Sequence, residues 1–413
     1  MATDLAPVAA LLLTTAVLLF GQGLQGILLP VEAAHHGFST FTIGLMGSFY
    51  FAGFISGSLR GPWLIRRVGH VRAFATLATI ASVVPLFHVL CPLGPLWIVL
   101  RAVTGFCFAG LFMTVESWLN ERADNATRGR IFSAYSTVNL TAMMGGQLLL
   151  FVPDPSGFAR FALASILVSL AAIPVSLTRL AEPKPFEAPP IDLRTLYDVS
   201  PVGLVCAAGI GIASSIFWSL GAVYAASVGS SQSFVALFMA SAVGGAAIMQ
   251  IPLGRWSDRG DRRRVIAFGA LAAAVAGLLL ALAGRFGAPG PLLLLVSLVF
   301  GASALPIWAV VVAHANDAAL PGQFVRMSSA LLLVYGIGAC VGPLVASLVT
   351  NAIGTPGPFV VTVLSHGAIA LFAIYRMGVR NIVPRRPFVD SPRTSAGVFK
   401  LDPRSASDNG SRA

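Results

Sequence analysis

Apolar residues gather in this chain into long runs of roughly 20 residues, separated by short polar stretches rich in arginine. A helix rises about 1.5 Å per residue, so such a run matches a hydrocarbon core about 30 Å thick. The pattern predicts twelve helices, over residues 6–31, 40–59, 73–90, 96–119, 131–152, 158–177, 201–228, 234–253, 265–283, 291–313, 327–350 and 358–377. The first run is too long for the apolar core of a cleaved signal and is read as a retained span. Between the sixth and seventh runs, residues 178–200 hold four prolines and mixed charge, the composition of an exposed linker. The expected organisation is a six-helix bundle over 1–177, a cytoplasmic linker over 178–200, a second six-helix bundle over 201–378, and a basic tail over 379–413. That tail has too little apolar surface to fold and is expected to be disordered.

Composition narrows the class. Of 413 residues, 56% are hydrophobic and 10% charged, and the mean hydropathy is +0.83. A soluble domain is nearer a quarter charged. A cytosolic enzyme, a secreted disulfide scaffold and a disordered regulator are therefore excluded, leaving an all-α multi-pass membrane protein. The four cysteines sit apart in apolar runs, as small buried side chains do, with no metal or disulfide spacing.

The net charge of +11 would point to nucleic acid in a soluble protein. Position argues otherwise, and no nucleic-acid partner is expected. Apart from Arg101, Arg160 and Arg285, the other 24 of the 27 lysines and arginines lie on alternate connections, the linker or the tail side. By the positive-inside rule both termini face the cytoplasm. Only Lys184 and Lys400 are lysines; that arginine bias and the abundant alanine fit a GC-rich bacterial genome, hence a cell inner membrane.

The two halves share a register. Arg130, Ala134 and Gly146 recur as Arg326, Ala330 and Gly342, Asn120-Glu121 as Asn316-Asp317, and Gly105 as Gly301, all 196 positions on. Arg67 and Arg259 correspond at 192. A parallel duplication of a six-helix unit explains this.

The connection after the eighth run reads Gly254-Arg-Trp-Ser-Asp258-Arg259-Gly-Asp261-Arg262-Arg263-Arg264. Its glycine permits close helix approach, and its Asp and Arg can form ion pairs at a membrane face. The fourth run holds Arg101-Ala-Val-Thr-Gly105. Both stretches resemble signatures of the major facilitator superfamily, the first as G-x-x-x-D-R-x-G-R-R with Asp261 at the second glycine. The first-half copy is degenerate, with Pro62 and Arg66 at the Gly and Asp positions and Arg67 retained. The drug–proton antiporter signature G-P-x-x-G-G is missing from the fifth run. Val115-Glu116-Ser117 with Arg128-Gly129-Arg130, the segment 144–149, and 330–335 leading to Gly342-Pro343 resemble the YcaD-like branch.

The resemblance implies a fold of two pseudo-symmetric bundles with runs 1, 4, 7 and 10 lining a central cavity. Those runs contain Gln22, Gln25, Arg101, Trp218 and Trp308, the candidate substrate-binding residues. Two glutamines opposite two indoles suit an uncharged or weakly polar organic solute; interhelical bonding and packing explain the same residues. Arg101 either faces the cavity or snorkels outward. Glu116 and Glu32 are the acids nearest membrane depth and the candidates for proton coupling. For Glu116 a structural salt bridge to Arg130 or Arg67 stands beside that reading, and Glu32 lies beside His35 and His36. Arg67, Arg130, Asp258, Arg259 and Arg326 are the candidate cytoplasmic gate. Pro306 is expected to kink the tenth helix, and His366 to pack.

No nucleotide-binding loop, metal cluster or catalytic constellation is present, so neither a cofactor nor enzyme activity is expected. The expected activity is secondary transport of a small organic solute by alternating access, with protons as the coupling ion and a monomer in the bilayer as the working form. Efflux of amphipathic drugs, and a transporter-like sensor or assembly protein without flux, are the alternatives.

Overall fold

The computed structural model describes residues 8–123, 128–154, 157–177, 192–229, 231–319 and 323–379. Its described secondary structure is helical. In the first half the helices are α1 (Ala9–His35), α2 (Thr40–Val68), α3 (His70–Leu90), α4 (Gly94–Arg122), α5 (Arg128–Leu148), α6 (Ala159–Leu170) and α7 (Ala172–Ser176). Then come α8 (Leu193–Val199), α9 (Pro201–Val228), α10 (Gln232–Arg259), α11 (Arg262–Phe286), α12 (Gly290–Ala304), α13 (Ile307–Asp317), α14 (Phe324–Ile353) and α15 (Gly357–Val379). With α6–α7 and α12–α13 each taken as one broken helix, eleven are long and apolar enough to cross a membrane. The helix that falls short is α5, where Ser133, Ser136, Thr137, Asn139, Thr141 and Gln147 dilute the apolar residues.

The apolar runs locate the helices but not their ends. The run predicted at 40–59 continues helically to Val68, and that at 234–253 to Arg259. Arginines end an apolar run without ending a helix, because their backbones keep the same hydrogen bonds and their head groups stay exposed. The tenth helix breaks at Leu305-Pro306, as the proline predicts. Within the linker region, Asp192 caps α8 by accepting from the Thr195 amide at 2.9 Å, so that part is helical rather than irregular. Residues 178–191 and the tail beyond Val379 lie outside the described residues.

Packing repeats between the halves. In the first, α2 packs on α4 and α1 on α5; in the second, α10 packs on α12 and α9 on α14. A Cβ at Gly105 would fall on the Tyr50 carbonyl, and one at Gly301 on the Ala242 carbonyl. Gly146 and Gly342 meet the Phe20 and Ile212 carbonyls in the same way. Small residues that let backbones touch are how membrane helices associate without a hydrophobic driving force.

The apolar core is joined at one end and divided at the other. At the arginine-poor end, Leu28, Trp97 and Phe161 share a cluster with Phe217, Phe238 and Phe359. At the arginine-rich end the first half has its own core around Phe74, Phe108 and Trp118, and the second has another around Trp308 and Val311.

Candidate functional site

Three first-half helices converge on Tyr50. Gln22 of α1 donates from Nε2 to the Tyr50 hydroxyl at 2.7 Å. The Arg101 guanidinium of α4 lies 4.4 Å from the centre of the Tyr50 ring, a cation–π contact. The close approach at Gly105 fixes the height of α4 against α2 and so brings Arg101 level with this ring. Arg101 therefore turns onto an aromatic face inside the protein rather than snorkelling outward. All three side chains are half-buried.

From the second half, Tyr335 of α14 approaches Tyr50 closely enough for electrostatic interaction. Its ring also contacts Trp308 of α13, with centroids 4.9 Å apart. The five helices bearing this group thus come from both halves of the chain, three from the first and two from the second. Gln25 is buried one turn from Gln22, and its Nε2 has no hydrogen-bond partner among the described residues. Trp218 is half-buried and packs on Phe217 at the edge of the shared arginine-poor core. Sequence reasoning missed Tyr50 and Tyr335, although a lone tyrosine inside each apolar run was a usable signal.

A second polar cluster closes the arginine-rich end of the second half. Arg262, only 2% exposed, donates from Nε to Asp317 at 2.6 Å and from a terminal nitrogen to Asp258 at 3.1 Å. Asp261 caps α11, accepting from the Arg263 amide at 3.0 Å and pairing with its guanidinium at 2.7 Å. Burial acts to raise the Asp261 carboxyl, but the Arg263 hydrogen bonds outweigh it and hold the group below the usual carboxylate range. Arg263 also donates to the Arg376 carbonyl at 2.7 Å, tying α11 to α15. These contacts join α10, α11, α13 and α15, all within the second half. The sequence singled out Asp258, whereas the buried hub is Arg262; the repeated Asn316-Asp317 pair already marked its partner.

Among the other gate candidates, Arg67 is exposed and stacks on Trp63 at 5.3 Å. Arg130 and Arg259 are exposed. Arg326 is exposed near Asp192, whose carboxyl lies below its usual range through hydrogen bonds from Thr195 first, with Arg326 a smaller cause. Glu116 is buried at 1% exposure and accepts from the Tyr135 hydroxyl at 3.0 Å. Glu32 faces His35 at 3.6 Å at the arginine-poor end of α1. His366 bonds the Thr362 carbonyl and packs on Phe300, a structural placement. Among the described residues, no group of three His, Cys, Asp or Glu could hold a metal.

The comparisons agree with this architecture. The family model described as Major Facilitator Superfamily matches residues 11–200 and 203–403. An uncharacterized MFS-type transporter of Yersinia pestis is 25% identical over 342 residues, covering 82% of this chain and 88% of the relative. The uncharacterized MFS-type transporter YcaD of Escherichia fergusonii is 26% identical over 341 residues, covering 82% and 87%. Among solved structures, the nucleoside transporter NupG superposes with a TM-score of 0.71 at 14% identity, over 92% of this chain and 99% of that one. A bacterial homologue of the human lysosomal transporter Spinster, inward-facing and occupied, gives 0.70 at 16%, over 89% and 95%. A D-xylose–proton symporter gives 0.68 at 17%, over 94% and 98%. With shared signatures, matched family model and common fold, the chain belongs to the major facilitator superfamily.

Proposed function

We propose that this protein is a twelve-span secondary transporter that carries a small organic solute across a bacterial inner membrane. In this reading α5 is the twelfth span, both termini are cytoplasmic, and the monomer is the working unit. The two six-helix sets rock about a central site, exposing it to each side in turn. The observation that carries the reading is the polar and aromatic group formed by Gln22, Tyr50 and Arg101 on one side and Tyr335 on the other. A group contributed by both halves is remade whenever they move, which is what alternating access requires.

The divided core at the arginine-rich end and the shared core at the other support an inward-open state. Asp258 and Arg262 brace the second half for that motion, with Arg67, Arg130, Arg259 and Arg326 at the same face. Glu116, buried and bonded to Tyr135, is the proton carrier in this reading.

The test is flux in proteoliposomes containing the purified full chain, with solutes first chosen by thermal shift. Glu116→Gln should remove the dependence of flux on a pH gradient while leaving exchange intact. Equal gradient dependence in Glu116→Gln removes this residue from coupling. Absence of flux for every solute that binds points to a sensor or assembly role instead.

A further inference from the structure

We propose that the transported solute is an organic monocarboxylate, held by the Arg101 guanidinium and the Tyr50 hydroxyl. The inference rests on the transporter reading above and narrows its substrate class. It departs from the neutral solute that the glutamines and indoles suggested.

A guanidinium at membrane depth is costly unless a charge or water answers it. Glu32 pairs with His35, Glu116 bonds Tyr135, and Asp258, Asp261 and Asp317 serve the arginine-rich cluster. Among the described residues none of these ion pairs includes Arg101. Its contact with the Tyr50 ring holds the side chain in place without neutralising it.

Tyr50 completes a receptor for an anion. Its hydroxyl accepts from Gln22 Nε2, which leaves the phenolic hydrogen to donate elsewhere. Arg101 and Tyr50 are both half-buried and lie against each other, close enough for one small ligand to meet both. Two kinds of donor with no acidic partner match the two oxygens of a carboxylate. A single guanidinium balances a single charge, so the site suits a monocarboxylate better than a phosphate dianion. Gln22 performs the positioning: it orients the hydroxyl on which the second contact depends.

The experiment uses the full-length protein in detergent and follows thermal unfolding with matched probes. The probes are acetate, lactate, hexanoate, decanoate and benzoate, each paired with its neutral amide. At least one carboxylate should raise the melting temperature while its amide does not. Arg101→Gln should weaken that carboxylate about thirtyfold or more. Tyr50→Phe, which keeps the ring under Arg101, should weaken it about tenfold. Each variant is accepted only if it elutes as a monodisperse species.

If no carboxylate stabilises the protein beyond its amide, the proposal fails. It also fails if the carboxylate effect survives in Arg101→Gln. The transporter reading is judged apart, by proteoliposome flux. A neutral or cationic solute transported equally well by Arg101→Gln would overturn the anion assignment and leave the transporter standing. Carboxylate binding without flux would do the reverse.

Discussion

Arg262 and Asp317 lie 55 positions apart and form a 2.6 Å ion pair in which both side chains are almost fully buried, at 2% and 4% exposure. Arg262 is the first residue of α11 and Asp317 the last of α13, so the pair fastens the start of one helix to the end of another. The same guanidinium reaches back to Asp258 on α10, whose side chain is 38% exposed. Geometry therefore ranks the two acids: Asp317 answers a buried charge, and Asp258 adds a partly solvated one.

Asp317→Asn should consequently destabilise the protein more than Asp258→Asn. Breaking one partner of a buried pair costs about 3–5 kcal/mol, and the remaining Asp258 and Ser257 contacts reduce this to about 2–3 kcal/mol. The exposed partner is worth about 0–1 kcal/mol. Thermal unfolding of the purified variants gives the order directly. Equal losses, or a larger loss for Asp258→Asn, would show that Arg262 does not depend on Asp317.

The helices were legible because membrane thickness sets their length and the cost of exposed backbone sets their type. Pro306 announced its break for a local reason, the missing amide. Helix ends were less legible at Arg60, Arg66 and Arg67, where charge ends the apolar run but the helix continues into Val68. The site was half visible. Gln22, Arg101 and Trp308 stood out as polar or large residues in apolar runs, but the contacts that join them run through Tyr50 and Tyr335. No spacing along one helix reveals such a contact, because it depends on how separate helices meet. Trp218 stood out in the same way, and in the structure it packs on Phe217.

Two glycines should respond in opposite directions to alanine. At Gly105 the added methyl meets the backbone of Tyr50, which cannot rotate aside. Gly105→Ala should cost about 3 kcal/mol, the upper end for overpacking, and displace Tyr50 from Arg101. At Gly367, nothing lies within 4 Å of the added carbon, so Gly367→Ala should be neutral or stabilise by up to about 1 kcal/mol through helix propensity. Melting temperatures of the two variants against the parent check both signs. Tolerance of Gly105→Ala would contradict the α2–α4 contact.

Asp261 predicts a pH signature. Its folded carboxyl is held below the usual range by Arg263 despite the opposing effect of burial. A depressed carboxylate contributes stability that is complete above its unfolded value of about 3.9 and is lost as pH falls through the folded value. Asp261→Asn keeps a capping side chain but lacks the charge, and should cost about 1 kcal/mol at neutral pH. The gap in melting temperature between parent and variant should stay constant above about pH 5 and narrow below about pH 4. A gap that widens on acidification would reverse the assigned sign.

The last prediction concerns the arginine-poor end, where Arg160 of the first half donates to Gln232 of the second at 2.6 Å. Arg160 is 7% exposed and also donates to the Val152 carbonyl at 2.9 Å, so its head group is held in position when it meets Gln232. A hydrogen bond from a charged group contributes about 1.5–3 kcal/mol. Gln232→Ala removes the acceptor at a half-buried site and leaves the Arg160–Val152 contact in place. If this contact helps hold the arginine-poor end shut, its loss should favour opening about tenfold or more, from that same range. Ile43, 2% exposed within the apolar core shared by the two halves, serves as reporter when changed to cysteine with Cys91 replaced by serine. Labelling of Ile43→Cys by a membrane-impermeant maleimide should accelerate about tenfold in the Gln232→Ala background. An unchanged rate would mean that the shared apolar core around Trp97 and Phe217, not the Arg160 contact, sets the barrier to opening.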